Sequence, residues 1–241
     1  MESWVVSVFG SLGTILSFLQ YVSPVPTFYR IVKNKSTEEF ESLPYICTVL
    51  NSALWTYYGI IKPDYFVSAV NGFGAALEAI YVLLFIKYAP PKKKAKTATM
   101  ASILNIGVVG AAILVTYFGV HGQLRTQVVG LICLTPMVAM YASPLAVLET
   151  VITTKSVEYM PFGLSFVLFV TGGVWTVYAI LVHDYFLGVP NGIGFLFGAI
   201  QLIVYCIYRN HKGSHGPSLQ ASIEEGTTQD PLLRHQNQPE T

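Results

Sequence analysis

Charge is what this 241-residue sequence has least of: Asp, Glu, Lys and Arg make up 11% of it, where a soluble domain carries roughly 25%. With 53% apolar residues and a mean hydropathy of +0.53, a soluble globular domain is excluded. Cysteine is scarce too. Cys47, Cys133 and Cys206 all fall inside apolar runs, which suits packing and not a disulfide framework. The five histidines are scattered over loops and tail without metal-ligand spacing, and no Ser or Cys has a basic partner in a shared helix. An enzyme is therefore not expected, nor a metal, a cofactor or a nucleic-acid partner.

What is present is a series of long apolar runs. A helix needs about 20 apolar residues to cross a hydrocarbon core about 30 Å thick, and seven stretches qualify: 5–29, 43–61, 65–87, 99–119, 126–149, 162–181 and 185–208. The first lacks the basic start and the small-residue cleavage site of a signal peptide, so it belongs to the mature structure. After Arg209 the composition turns polar, and 211–241 reads as a disordered cytosolic tail.

The few charges are placed unevenly. Arg30, Lys33 and Lys35 follow the first stretch, Lys87, Lys92, Lys93, Lys94 and Lys96 the third, Lys155 the fifth, and Arg209 and Lys212 the seventh. The opposite loops hold Lys62 and Arg125. The positive-inside rule then puts the N-terminus outside or lumenal and the C-terminus in the cytosol. The "KKKAK" run reads as a topology determinant, with binding of anionic lipid head groups as the alternative.

The sequence also repeats itself. Aligning 21–88 on 141–208 without a gap gives 19 identities in 68 positions. They cluster as Tyr21/Tyr141, Ser23-Pro24/Ser143-Pro144, Lys35-Ser36/Lys155-Ser156, Trp55/Trp175, Tyr58/Tyr178, Asp64-Tyr65-Phe66/Asp184-Tyr185-Phe186 and Asn71-Gly72/Asn191-Gly192. Each copy spans three helices. An odd number fused head to tail would invert the second copy in the bilayer, and the unpaired helix at 99–119 turns it back. The expected fold is thus an all-α integral membrane protein of seven transmembrane helices, two parallel three-helix bundles joined by a linker helix (3+1+3). Its parts are a first repeat at 5–88, a basic loop and linker helix at 89–125, a second repeat at 126–210, and the tail. Parallel repeats of this kind build secondary transporters, whose substrate sits near the midplane where the halves meet.

Several residues carry chemistry within that frame. Asn71 and Asn191 lie inside apolar helices, where an unpaired amide costs on the order of 2 kcal/mol. Their amides offer donors and acceptors that match sugar hydroxyls, and an interhelical hydrogen bond is the plainer alternative. Trp55 and Trp175 are plates for the C–H face of a sugar ring, or else interfacial belt residues. Asn51 and Thr171 lie one turn before each Trp and share its face, and Gln20 and Met140 stand one turn before Pro24 and Pro144. Tyr58, Tyr178, Lys62, Asp64 and Asp184 gather at the outer helix ends, where an outer gate competes with simple anchoring and helix capping. Glu78 is an intramembrane carboxylate without a repeat partner, since Gly198 takes its place; proton coupling competes with a neutral packing role.

The paired "PxxxxxxxxxxKS(T/V)E" segments, "LPYICTVLNSALWTYYG", "VNGFG" and "VPNGIGFLFGAIQLIVYCIY" make residues 5–210 resemble the plant SWEET sugar transporters, most of all their vacuolar-membrane subgroup. The resemblance implies a bidirectional facilitative uniporter, carrying hexoses such as fructose and glucose by alternating access. It implies substrate contacts at Asn71, Asn191, Trp55, Trp175, Asn51 and Thr171, and an outer gate at Tyr58, Tyr178 and Asp184, to which the local charge adds Lys62. Pro24, Pro44, Pro144 and Pro161 match the family's cytosolic hinge prolines, although Pro44 and Pro161 equally well start helices. A homo-oligomer, plausibly a trimer, in the vacuolar rather than the plasma membrane follows by the same likeness. The alternatives are a proton-coupled carrier using Glu78 and, more remotely, a seven-helix receptor, which would not need the repeat.

Overall fold

The computed structural model describes residues 3–140, 142–157, 160 and 162–209. Pro161, the side chain of Pro144 and the tail at 211–241 lie outside the described residues. All regular structure among the described residues is helical: α1 (Ser3–Val22), α2 (Val25–Asn34), α3 (Leu43–Ile61), α4 (Tyr65–Tyr88), α5 (Pro91–Ala101), a π-helical stretch (Ser102–Val108), α6 (Val109–Gly119), α7 (Gly122–Met140), α8 (Ala142–Thr154), α9 (Phe162–Leu181) and α10 (Tyr185–Tyr208). Helices satisfy their own backbone bonds, so they are what an apolar chain forms in lipid. This is an all-helical membrane protein.

Among the described residues, five segments are long and apolar enough to cross a bilayer: Trp4–Asn34, Tyr65–Tyr88, Pro91–Gly119, Phe162–Leu181 and Tyr185–Tyr208. Seven were expected, and the stretches at 43–61 and 126–149 are not among the five. Helix α3 is 19 residues long but carries Thr48, Asn51, Ser52, Thr56 and three tyrosines, which dilute its apolar character. In the run at 126–149, residue 141 lies outside the described residues, so α7 and α8 are described separately, and α7 begins on the polar Gln123, Arg125, Thr126 and Gln127.

Helix ends explain the other departures. The first stretch runs past 29, and it is interrupted: Ser23 folds back on the Gln20 carbonyl, and Pro24 caps α2. Helix α2 ends where Lys35 adopts a left-handed conformation at φ 50°, its N–H on the Ile31 carbonyl. Lys155, its repeat equivalent, has φ 52°. A side chain in this region costs roughly 1–2 kcal/mol, and both copies use it at the same place. The basic run expected as a loop is helical from Pro91 onward. Pro44 sits exposed in the first turn of α3, which is where a proline is tolerated without breaking a helix.

Packing follows the repeat. Helix α4 lies against α1 and α3, while α10 lies against α7, α8 and α9. The two sets meet along an α1–α9 seam and an α3–α7 seam. From 191 to 200 the pattern of burial is that of 71–80, residue for residue. Close approach depends on glycine at equivalent places: a β-carbon at Gly10 would fall 2.7 Å from the Phe66 ring, and one at Gly130 would fall 2.5 Å from the Phe186 ring. The central cluster joins Trp55, Tyr58, Val67 and Val70 to Cys133, Trp175, Tyr178 and Leu187. The α5–α6 segment lies against α3, and its ends are held there by Ser42–Thr97 (2.7 Å) and Tyr57–Thr116 (3.0 Å) hydroxyl bonds. In the loop before α3, the Asn34 amide and the Arg30 guanidinium hold the Glu38 carboxyl below its usual range, and Lys93 of α5 donates to the Glu38 carbonyl at 3.0 Å.

Candidate functional site

A cavity of about 170 Å³ lies where the seams converge, and its walls include Asn51, Trp55, Asn71, Thr171, Trp175 and Asn191. All six residues expected at a substrate site are thus brought to one place. The volume equals that of about six liquid waters. Ser17, Gln20, Tyr21 and the apolar Val67, Val70 and Leu187 complete the lining, with no charged side chain among the described residues that form it.

The tryptophans are 4% and 6% exposed, so they are not belt residues at a lipid interface. Trp55 meets Tyr58 edge to face at 5.3 Å, and Trp175 meets Tyr178 in the same way at 5.4 Å. Trp175 also donates its indole N–H to the Ser17 hydroxyl at 3.0 Å, with its ring against Gly13 of α1. Each asparagine donates to the carbonyl four residues back, Asn71 to Val67 (2.9 Å) and Asn191 to Leu187 (2.8 Å). This anchors the amide and aims what is left of it. The Asn71 carbonyl accepts from Tyr21 of α1 at 3.3 Å, and the Tyr21 hydroxyl also shares a 3.0 Å bond with Ser52. An interhelical bond and a place on the cavity wall are therefore both true of Asn71. Gln20 donates to Thr171 across the α1–α9 seam at 3.1 Å. The Asn51 side-chain oxygen is buried without a partner, and an orphaned acceptor costs about 1–3 kcal/mol until something donates to it.

One end of the cavity is closed by a reciprocal pair of bonds. Tyr58 donates to both carboxylate oxygens of Asp184 at 2.9 and 3.0 Å, and Tyr178 donates to both of Asp64 at 2.9 Å. Each carboxylate also caps its own helix, Asp64 accepting from the Val67 N–H (3.0 Å) and Asp184 from the Leu187 N–H (3.1 Å). The same carboxylates thus cap their own helices and bond the tyrosines of the opposite copy. Lys62 adds a 2.6 Å ion pair to Asp184, whose side chain is 1% exposed. Among the described residues no cation pairs with Asp64, and Val182 stands where Lys62 would repeat.

Other expected residues fall elsewhere. Pro24 and Pro44 lie at the opposite ends of their helices from the Tyr–Asp bonds. Glu78 is buried at 4% exposure with one carboxyl oxygen unpartnered, and it does not line the cavity. The sequence did not single out Ser17 or Tyr21 for the cavity wall. The identity Tyr21/Tyr141 carried a signal for one of them; Ser17 aligns with Met137 in the repeat and gave none.

An uncharged cavity of amides, hydroxyls and indoles inside a membrane, shut at one end by side-chain bonds between two sets of helices, is the architecture of a carrier of small polar solutes. The chain belongs to the family described as sugar efflux transporter for intercellular exchange (MtN3/saliva, the SWEETs), which matches it twice, at residues 7–94 and 127–213. Membership places it among transporters and not enzymes. It is 53% identical over 232 residues to the bidirectional sugar transporter SWEET17 of Arabidopsis thaliana, covering 93% of this chain and 96% of that one. To SWEET16 of the same plant it is 50% identical over 204 residues, covering 83% and 88%. A solved eukaryotic SWEET transporter superposes with a TM-score of 0.80 at 36% identity, covering 86% of this chain and 97% of the other.

Proposed function

We propose that this sugar transporter is a bidirectional facilitative uniporter for hexoses such as fructose and glucose, working by alternating access around the cavity at Asn71 and Asn191. The observation that carries the proposal is the meeting of Asn51, Trp55, Asn71, Thr171, Trp175 and Asn191 around one uncharged cavity. The sugar ring lies between the indoles, hydroxyls are held by Asn71 and Asn191, and the orphaned Asn51 oxygen accepts a further hydroxyl proton. The small volume and the bulk of Asn51 favour one ring over two. Few strong bonds are on offer, so binding is millimolar, about 4 kcal/mol, and release is fast.

The repeats act as two three-helix bundles (5–88 and 126–210) joined by the linker at 89–125, with the Lys/Arg-poor end, where the Tyr58, Tyr178, Asp184 and Lys62 gate lies, facing outside or lumen. The gate bonds are made, so the conformation is closed outward. Pro24, Pro44, Pro144 and Pro161 hinge the cytosolic side, where proline weakens the helical ladder, and the tail at 211–241 lies in the cytosol. The likeness to SWEET16 and SWEET17 supports the vacuolar membrane as its home, and a homo-oligomer such as a trimer as its assembly. A second reading, proton coupling through Glu78, is favoured by its buried, half-unpartnered carboxyl.

The deciding experiment is uptake of labelled glucose, fructose and sucrose into proteoliposomes with and without a pH gradient, comparing the native protein with an Asn71→Ala/Asn191→Ala variant. Equilibration independent of the gradient, preferring hexose and lost in the variant, is expected. Uphill uptake that collapses without the gradient and with Glu78→Gln would establish the coupled carrier in its place.

A further inference from the structure

Tyr57 and Tyr58 are adjacent, and both reach helices beyond the first copy. Tyr58 goes to Asp184, whereas the Tyr57 hydroxyl accepts from Arg125 in the first turn of α7, at 2.8 Å from Nη2 and 3.3 Å from Nε. The guanidinium also lies 5.6 Å from the centre of the Tyr57 ring and 4.8 Å from that of Tyr117 on α6. Among the described residues no carboxylate pairs with Arg125. Its charge is met by two π faces and a phenol oxygen, so its hold depends on both rings staying in place.

The contact is confined to one seam. The repeat equivalents of Arg125 and Tyr57 are Val5 and Val177, which make no such bond across the α1–α9 seam. The linker segment is tied to the first copy at both ends, by Ser42–Thr97, by Lys93 on the Glu38 carbonyl and by Thr116–Tyr57. Arg125 joins that composite to α7. Only residues 120 and 121 separate α6 from α7, so the guanidinium meets α3 and α6 together, and Tyr57 bonds both Arg125 and Thr116. Parting α3 from α7 requires the bond between Arg125 and Tyr57 to yield.

We infer that Arg125 is a positioning residue, a one-sided latch that holds the carrier closed outward in addition to the Tyr–Asp bonds. The inference rests on the alternating-access reading. A ligand's apparent affinity falls with the fraction of protein competent to bind it, so releasing the latch enlarges the outward-open population. Sugar offered from the outer face then half-saturates at lower concentration, and sugar offered from the cytosolic face at higher concentration. A lost hydrogen bond to a charged group corresponds to a shift of about tenfold.

The test measures zero-trans uptake and zero-trans efflux in proteoliposomes of one orientation, for the native protein, Arg125→Gln and Tyr57→Phe. Opposite shifts of the two half-saturation constants are expected in both variants, with no additional shift when they are combined. Constants that stay put, or move in the same direction, or a lower maximal flux alone, would overturn the latch. Should Arg125→Gln fail to fold, Tyr57→Phe, which keeps the ring, decides by the same criterion. A native protein without saturable flux in either direction would overturn the carrier reading and the latch with it.

Discussion

The two copies of the repeat agree in some places to a tenth of an ångström and disagree in others by an entire functional group. They share the Trp–Tyr edge contact, the asparagine that bonds its own helix, the capping aspartate and the glycine against phenylalanine. They differ at Lys62 against Val182, Ser52 against Gly172 and Glu78 against Gly198. What is shared holds the bundles and lets them close on each other. What differs sits behind the cavity wall, at Ser52 and Glu78, and at the Lys62–Asp184 ion pair. At Gly172 and Gly198 the second copy brings α9 and α10 into backbone contact, with a virtual β-carbon 2.7 Å from the Phe195 nitrogen and 2.6 Å from the Phe169 nitrogen. The first copy spends the same space on a hydroxyl and a carboxyl.

Exchanging residues between the copies breaks or sharpens this contrast. The largest effect belongs to Gly198→Ala, which must push α9 and α10 apart; a loss of about 2–3 kcal/mol, the usual scale of overpacking, is expected in thermal unfolding of the detergent-solubilised protein. Glu78→Ala at the equivalent site is expected to change stability by less than about 1 kcal/mol, because it removes a buried oxygen that has no partner. Equal losses at the two sites would erase the distinction. Next comes the gate. Asp184→Asn forfeits the Lys62 pair as well as charge-assisted bonds from Tyr58, and should cost about 2 kcal/mol, against about 1 kcal/mol for Asp64→Asn. The same melting measurement checks the order, which Lys62→Val should abolish. Smallest is Ser52→Ala, which removes one bond from the Tyr21 hydroxyl. A cost of about 0.5 kcal/mol and a changed half-saturation constant for hexose are expected, while Gly172, having no hydroxyl, offers nothing to lose there.

The frame was legible in the sequence because two signals reinforced each other: apolar length and self-similarity. Asn71, Asn191, Trp55 and Trp175 stood out as polar or bulky groups recurring at one offset, and they met as expected around one cavity. Helix α3 was harder, since the residues that make it a wall of the cavity, Asn51 and Trp55, also lower its hydropathy. Ser17 was invisible because its role depends on where the Trp175 indole points, a matter of tertiary packing. The break at Ser23 and Pro24 was masked by an apolar run that continues on either side of it. The helical start of the basic segment was hidden by its charge, though the proline at Pro91 suits a first turn.

The doubled duty of Asp64 and Asp184 has a mechanical corollary. Each carboxylate holds the first turn of its helix through its own backbone N–H bond, whichever way the opposing tyrosine swings. On the alternating-access reading proposed above, opening at these bonds unravels no secondary structure, and water replaces the departing phenol at an oxygen that its own helix still anchors. The two aspartates are then fixed studs to which the tyrosines return.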